Sequence, residues 1–351
     1  MSDTILFGII LVVLAGLIMG TSPWPLKLMR RFHYEHFAFI SMLVALVILP
    51  WTITLIFCPH PFAALSEVPG VVLLKANLFA LAWGIAQVLA LLCFVRIGVS
   101  LTYGILCSIG VAVGVITPMI FKASGVFREA PDLLSKPGLI VLGGTVVMLA
   151  GVVFASLAGA GREKSTRASE ASDAAAKNVG TPSGGFAVGL LMVVMAGVLS
   201  VGWGFAFTYS QDSIIQAMKS HGAADFPASI AVWAIALLGA ALPNVLYPAI
   251  LMTRNKSWHV LSAHPGEIAL SIIYGIFFFA PSALLGKGML LLGPLGASVG
   301  WGLVQGTLIL GAQILGFATG EWQGVSGKPR TQVYIAIIFL VIGITIIACG
   351  R

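Results

Sequence analysis

Apolar residues fall along this chain in long unbroken runs rather than in the three-and-four spacing of an amphipathic surface helix. Ten runs stand out, over about 5–25, 37–58, 71–94, 99–121, 138–157, 185–209, 227–252, 267–292, 295–318 and 332–350. Each approaches or exceeds the ~20 residues that a helix needs to cross bilayer hydrocarbon. None alternates apolar and polar positions in the ~10-residue units of a barrel strand. The pattern predicts an all-α integral membrane protein of ten transmembrane helices.

The one long polar stretch, residues 158–184, is rich in Gly, Ser, Ala and charge. It cannot bury a core and is expected to be a flexible linker. It separates residues 1–157 from 185–351, with five runs on each side. The two halves echo each other. Gly8 to Gly16 reads Gly, three aliphatics, Val-Val, an aliphatic, then Ala-Gly, and Gly189 to Gly197 repeats it. Leu49-Pro50 answers Leu242-Pro243, and Trp83-Gly84-Ile85 answers Tyr274-Gly275-Ile276, with Arg96 and Lys287 each thirteen residues after the aromatic. The segment Gly98 to Gly104 answers Gly296 to Gly302. A five-span unit followed by its copy must insert the copy upside down. Two inverted five-helix repeats are the plan of alternating-access transporters, with the solute near the midplane between them.

Composition narrows the class further. Of 351 residues 59% are hydrophobic and 9% charged, against about 25% charged in soluble domains. The formal charge of +7 might suggest nucleic acid, but the basic residues sit between runs, where they set topology. Twelve Lys and Arg fall on the side of the linker and seven on the side of the termini. The positive-inside rule then makes the linker cytoplasmic and both termini periplasmic. The four cysteines, Cys58, Cys93, Cys107 and Cys349, have no CxxC spacing and read as small apolar residues.

The five-plus-five plan resembles the drug/metabolite transporter superfamily, and within it the chain resembles the L-rhamnose–proton symporters. The residues that carry the resemblance run the length of the chain. They are Pro25-Leu-Lys27 with the aromatic segment around Glu35, Ile48-Leu49-Pro50-Trp51, Ala82-Trp83-Gly84-Ile85, Arg96-Ile-Gly98, Asn244, Glu321-Trp322 and Gly327-Lys-Pro-Arg330. The resemblance implies sugar uptake driven by protons across a bacterial inner membrane, with no cofactor. The chain departs from the family in two places. The stretch after Trp-Gly-Ile is Ala86-Gln87-Val-Leu-Ala instead of Asn-rich, and the eighth run carries Phe277-Phe278-Phe279. Both changes make the expected pocket more apolar. An exporter of a small metabolite or drug, from the same superfamily, is the competing reading.

No Asp or Glu lies at the centre of a run, and all six His fall outside the runs. That excludes the His and carboxylate clusters of membrane enzymes and leaves no catalytic or metal set. Proton coupling must then use a carboxylate at a membrane margin. Glu35, entering the second run, is the first candidate, ahead of Asp212 and Glu321. For the sugar, an aromatic ring can stack on C–H faces while an amide both donates to and accepts from hydroxyls. Trp83 and Gln87 lie one helical turn apart, as do Trp301 and Gln305. Asn244, Tyr103, Tyr274 and Trp203 complete the expected pocket, each with helix packing or an interhelical hydrogen bond as the plain alternative. Trp24, Trp51 and Trp322, at run ends, read as an interfacial belt. The Leu-Pro pairs and Ile116-Thr117-Pro118 are expected kinks.

Overall fold

The computed structural model describes residues 3–97, 99–121, 131–173, 185–293 and 296–349. Among the described residues every regular element is helical. Bilayer hydrocarbon offers the backbone no water to bond, so a long apolar run must satisfy its amides internally, as a helix does.

The first span is α1 (Asp3–Thr21), followed by a tight turn over Trp24–Lys27. The second joins α2 (Tyr34–Leu43) to α3 (Leu49–Phe57) through a widened π-turn at Val44–Ile48. A short α4 (Pro61–Glu67) precedes α5 (Gly70–Ile97), the third span, and α6 (Val99–Ile120), the fourth. The fifth is α7 (Lys136–Asp173), and the sixth is α8 (Gly185–Ser200) running into α9 (Gly202–Ser220). The seventh is a pair, α10 (Asp225–Ala236) and α11 (Leu238–Arg254), bent by 50°. A short α12 (His259–Ala263) leads to α13 (Pro265–Leu291), the eighth span. The ninth enters through a π-turn at Gly296–Gly300 into α14 (Trp301–Ala318), and α15 (Lys328–Cys349) is the tenth. Among the described residues nine helices are long and apolar enough to cross a membrane, and counting the bent pair as one broken span gives ten.

Four expectations change. First, α7 runs to Asp173 and takes in residues 158–173 of the stretch read as flexible linker. Ala, Arg, Glu and Lys there are good helix formers, and extending an existing helix needs no new nucleus. Residues 174–184 lie outside the described residues. Second, His36 is inside α2 and fully buried, not outside the spans. Third, Trp322 is no belt residue. It is buried, stacked on Phe317 and covered by the Arg162 guanidinium. Fourth, the sharp break in span seven falls at Leu237, not at Leu242-Pro243, which lies within α11. Pro50 does mark a distortion, because the π-turn ends just before it. A proline has no N–H for the preceding turn and its ring crowds the carbonyl four residues back.

Packing follows a simple scheme. α1 lies against α13 and α14, while α8 lies against α5 and α6. α5 crosses α11, and α13 crosses α2. α6 packs on α7, α14 on α15, and α7 on α15. The innermost element is α10, buried at every residue from Ala228 to Ala236. α1 lies at the rim and shows Leu6, Phe7, Ile10 and Leu14 to the outside, as a lipid-facing helix must.

Candidate functional site

Aromatic rings from five spans meet in the interior. Trp83 of α5 lies 4.5 Å from Trp203 of α9, centroid to centroid, and Trp203 lies 5.0 Å from Trp233 of α10. Phe278 of α13 closes on both, at 6.2 Å from Trp83 and 5.8 Å from Trp203. The chain of rings extends both ways. Trp233 stacks on Phe207 at 4.5 Å, while Phe278 stacks on Tyr274 at 6.0 Å and Tyr274 meets Phe37 of α2 at 4.8 Å. A column of seven rings thus runs from the start of α2 to the α9–α10 pair. Separations of this size are the favoured range for aromatic pairs.

The column unites Trp83, Trp203 and Tyr274 of the expected pocket. It adds Trp233, Phe278, Phe207 and Phe37, which the sequence did not single out. Phe278 was visible only as part of a Phe run, and Trp233 sits in an apolar stretch with no polar neighbour to mark it. The indole N–H groups of Trp203 and Trp233 are buried without a hydrogen-bond partner among the described residues. Such groups carry a desolvation cost that an incoming acceptor oxygen can relieve.

The other expected residues are placed differently. Trp301 donates its indole N–H to the Gly110 carbonyl of α6 at 3.2 Å. Its ring occupies space left by Gly114 and Gly204, and Gln305 lies one turn on, against Gly110. Asn244 is buried but spends an amide hydrogen on Ala240 of its own helix, at 2.9 Å. That bond is local, not interhelical. Gln87 is half-buried one turn beyond Trp83. Tyr103 is 53% exposed, and it lies near Tyr274, as do Tyr34 and Ser22. These hydroxyls gather around the Phe37 end of the column.

Polar ties between the two halves crowd the rim at that same end. Glu35 accepts from the Asn255 amide at 3.1 Å. His36 accepts the His33 N–H at its Nδ1 (3.2 Å), so its Nε2 is the donor to the Ser257 carbonyl (3.2 Å). Glu267, in the first turn of α13, takes the backbone N–H groups of Arg30, Arg31 and Phe32 at 2.6–3.2 Å. Glu321 bridges Lys27 and Arg162. Burial by itself would raise the Glu321 carboxyl, but the Lys27 ammonium and the Arg162 guanidinium outweigh it and hold the group below its ordinary range. A carboxyl held ionised in this way exchanges no proton near neutrality. Arg330, nearer to Glu321 in the chain, donates to Tyr334 instead. No group of three or more metal-ligating side chains occurs among the described residues.

Comparison with known proteins adds a family. A family model described as L-rhamnose-proton symport protein (RhaT) matches residues 1–351. A protein of Citrobacter koseri named L-rhamnose-proton symporter is 24% identical over 362 residues, covering 100% of this chain and 99% of that protein. Proteins of the same name from Yersinia pestis and Yersinia pseudotuberculosis are 24% identical over 358 residues, with the same coverage.

Proposed function

This chain belongs to the L-rhamnose-proton symport protein family, and from that premise we propose that it carries a monosaccharide such as L-rhamnose inward with protons by alternating access. It is a multi-pass membrane protein of a sugar–proton symporter family, not an enzyme. The observation that carries the solute reading is the ring column with its unpaired indole donors. Rings stack on the C–H faces of a sugar, and the Trp203 and Trp233 N–H groups meet its oxygens. The binding set is Trp83, Trp203 and Tyr274 in the column, with Gln87, Tyr103 and Asn244 beside it. Trp301 and Gln305 shape the neighbouring α6 face.

Two inverted five-helix repeats, 1–157 and 185–351, supply the rocking bodies. The packing scheme supports this, because for its main crossings the exchange of a span for its partner five spans away returns a counterpart contact. α1 on α13 and α14 becomes α8 on α5 and α6, and α5 on α11 becomes α13 on α2. The matched glycines follow the exchange. A Cβ on Gly84 would stand 2.9 Å from the Ala240 carbonyl, and one on Gly275 would stand 2.8 Å from the Ser41 carbonyl.

Glu35 is the coupling carboxylate of this reading. It stands in the first turn of α2, at the rim where the halves meet, and its partner is a neutral amide rather than a cation. A carboxylate so placed keeps access to water and to the Tyr34–Tyr274 end of the column.

The experiment is proton movement in right-side-out vesicles on adding a panel of sugars, L-rhamnose included. External alkalinisation is expected with one sugar for the wild type. Glu35→Gln is expected to abolish pH-driven accumulation, by about tenfold or more, while leaving sugar exchange at equal pH. Silence of the wild type across the panel would move the assignment to export or to a non-sugar solute, and accumulation by Glu35→Gln would remove Glu35 from the coupling step. The orientation has its own check. A reporter fused after Arg351 is expected to be active only in the periplasm, and cytoplasmic activity would reverse the topology.

A further inference from the structure

We infer that Asn77 is the positioning residue of a hinge in span seven, holding the first turn of α11 against α5 while α10 stays fixed in the core. A helix that restarts after a break leaves the amides of its first turn without intrahelical acceptors. In hydrocarbon nothing else is available to take them. Here one of them finds a side chain from the other half of the molecule: the Gly239 N–H donates to Asn77 Oδ1 at 2.7 Å.

The chemistry of this contact is unambiguous. A backbone N–H can only donate, so the amide oxygen must face it. The Asn77 nitrogen is used one turn back on α5, donating to the Leu73 carbonyl at 2.9 Å, and this fixes the direction of the oxygen. Gly239 permits the approach, since a Cβ there would collide with the Asn77 main-chain carbonyl.

The two sides of the break are anchored unequally. α10 is buried from Ala228 to Ala236, packed by α9 and α3. α11 packs on α5 and α2 only along one side and exposes Leu238, Leu242, Leu246 and Ile250. Beside the break lies an apolar groove of 490 Å3, lined by Asn77 itself with Leu43, Val47, Leu74, Leu78 and Leu242. That space lets the start of α11 swing while α10 stays put. Asn244 rides on the second turn of α11, so the angle at the break sets where its amide points. A single hydrogen bond from α5 therefore governs the geometry of a helix that carries a pocket residue.

The test uses the full-length protein in lipid nanodiscs and proteoliposomes, as wild type, Asn77→Ala and Asn77→Asp. The aspartate variant keeps an acceptor oxygen, and in its neutral form, which burial in a span favours, its hydroxyl replaces the donor to Leu73. Hydrogen–deuterium exchange of the amides around Gly239 is expected to speed up roughly tenfold in Asn77→Ala and to stay near wild type in Asn77→Asp. The maximal rate of L-rhamnose transport is expected to fall about tenfold in Asn77→Ala with half-saturation within about twofold, and to recover in Asn77→Asp. Wild-type exchange around Gly239 in Asn77→Ala would overturn the inference. So would an equal loss of rate and affinity that the aspartate does not restore, because that marks a binding or purely structural residue. The transport arm rests on the sugar reading and the exchange arm does not. Failure of that reading shows as no L-rhamnose transport by the wild type, and the exchange comparison then decides the hinge alone.

Discussion

Trp203→Ala is expected to lower uptake efficiency by roughly 10- to 1,000-fold, mostly through half-saturation. Trp203, like Phe278, meets three rings of the column, touching Trp83, Trp233 and Phe278 at 4.5, 5.0 and 5.8 Å. A ring stacked on a sugar face is worth about 0.5–1.5 kcal/mol, a hydrogen bond to solute about 0.5–1.5 kcal/mol more, the loosening of the neighbouring rings adds to the loss, and ~1.4 kcal/mol is tenfold in an equilibrium constant. Truncating a buried Trp also costs the fold about 3–5 kcal/mol, so a monodisperse elution profile must accompany the kinetics. Trp203→Phe separates the two roles of the indole. It keeps a face for stacking and loses an N–H that has no protein partner. Its uptake is expected within about tenfold of wild type, the value of one hydrogen bond to substrate. A Trp203→Ala protein that folds and takes up sugar with wild-type half-saturation would show that the column lies off the solute path.

Gly84→Leu and Gly275→Leu are each expected to reduce transport to near background, and to do so to the same extent. α5 crosses α11 at Gly84, where an added Cβ would lie 2.5 Å from the Pro243 ring and 2.9 Å from the Ala240 carbonyl. α13 crosses α2 at Gly275, where it would lie 2.8 Å from the Ser41 carbonyl and 2.9 Å from Val44. Backbone carbonyls cannot swing aside as a side chain does, so the helices must separate. Overpacking by even small groups costs about 1–3 kcal/mol, and a leucine adds four carbons. Equal losses at two positions 191 residues apart are what the proposed inverted repeat requires, since it makes both crossings the same joint. Normal uptake by one variant beside failure of the other would break the equivalence and the repeat with it. Uptake in proteoliposomes, normalised to inserted protein, is the measurement.

Much of this architecture is legible in the residue order because the bilayer imposes it. A run of about twenty apolar residues has one low-energy solution in hydrocarbon. The apolar runs therefore predict the helical spans, and the seventh run keeps its place as a bent pair of helices. The matched glycines are legible for a similar reason: a helix crossing at short range tolerates no side chain, which leaves Gly84 and Gly275 in corresponding places. Trp83, Trp203 and Tyr274 were candidates because an aromatic ring inside a span can stack on the C–H face of a sugar.

Partner choice was not legible. Glu321 pairs with Lys27 and Arg162, far away in the chain, rather than with the basic residues of its own loop. Asn244 looks like an interhelical amide and bonds its own helix, while Asn77, unremarked in an apolar run, makes the bond between halves. Trp301 has the same spacing to Gln305 as Trp83 has to Gln87, yet it faces α6 and Trp83 faces the column. In an apolar solvent every face of a span is apolar, so periodicity does not say which face turns inward. The sequence by itself determined where the apolar runs lie and that they are helical, since these depend on transfer from water. The rotation of each helix, the meeting of seven rings, the break at Leu237 and the capture of its amide by Asn77 were decided only by tertiary packing. Those features depend on distances between segments that the chain order does not encode.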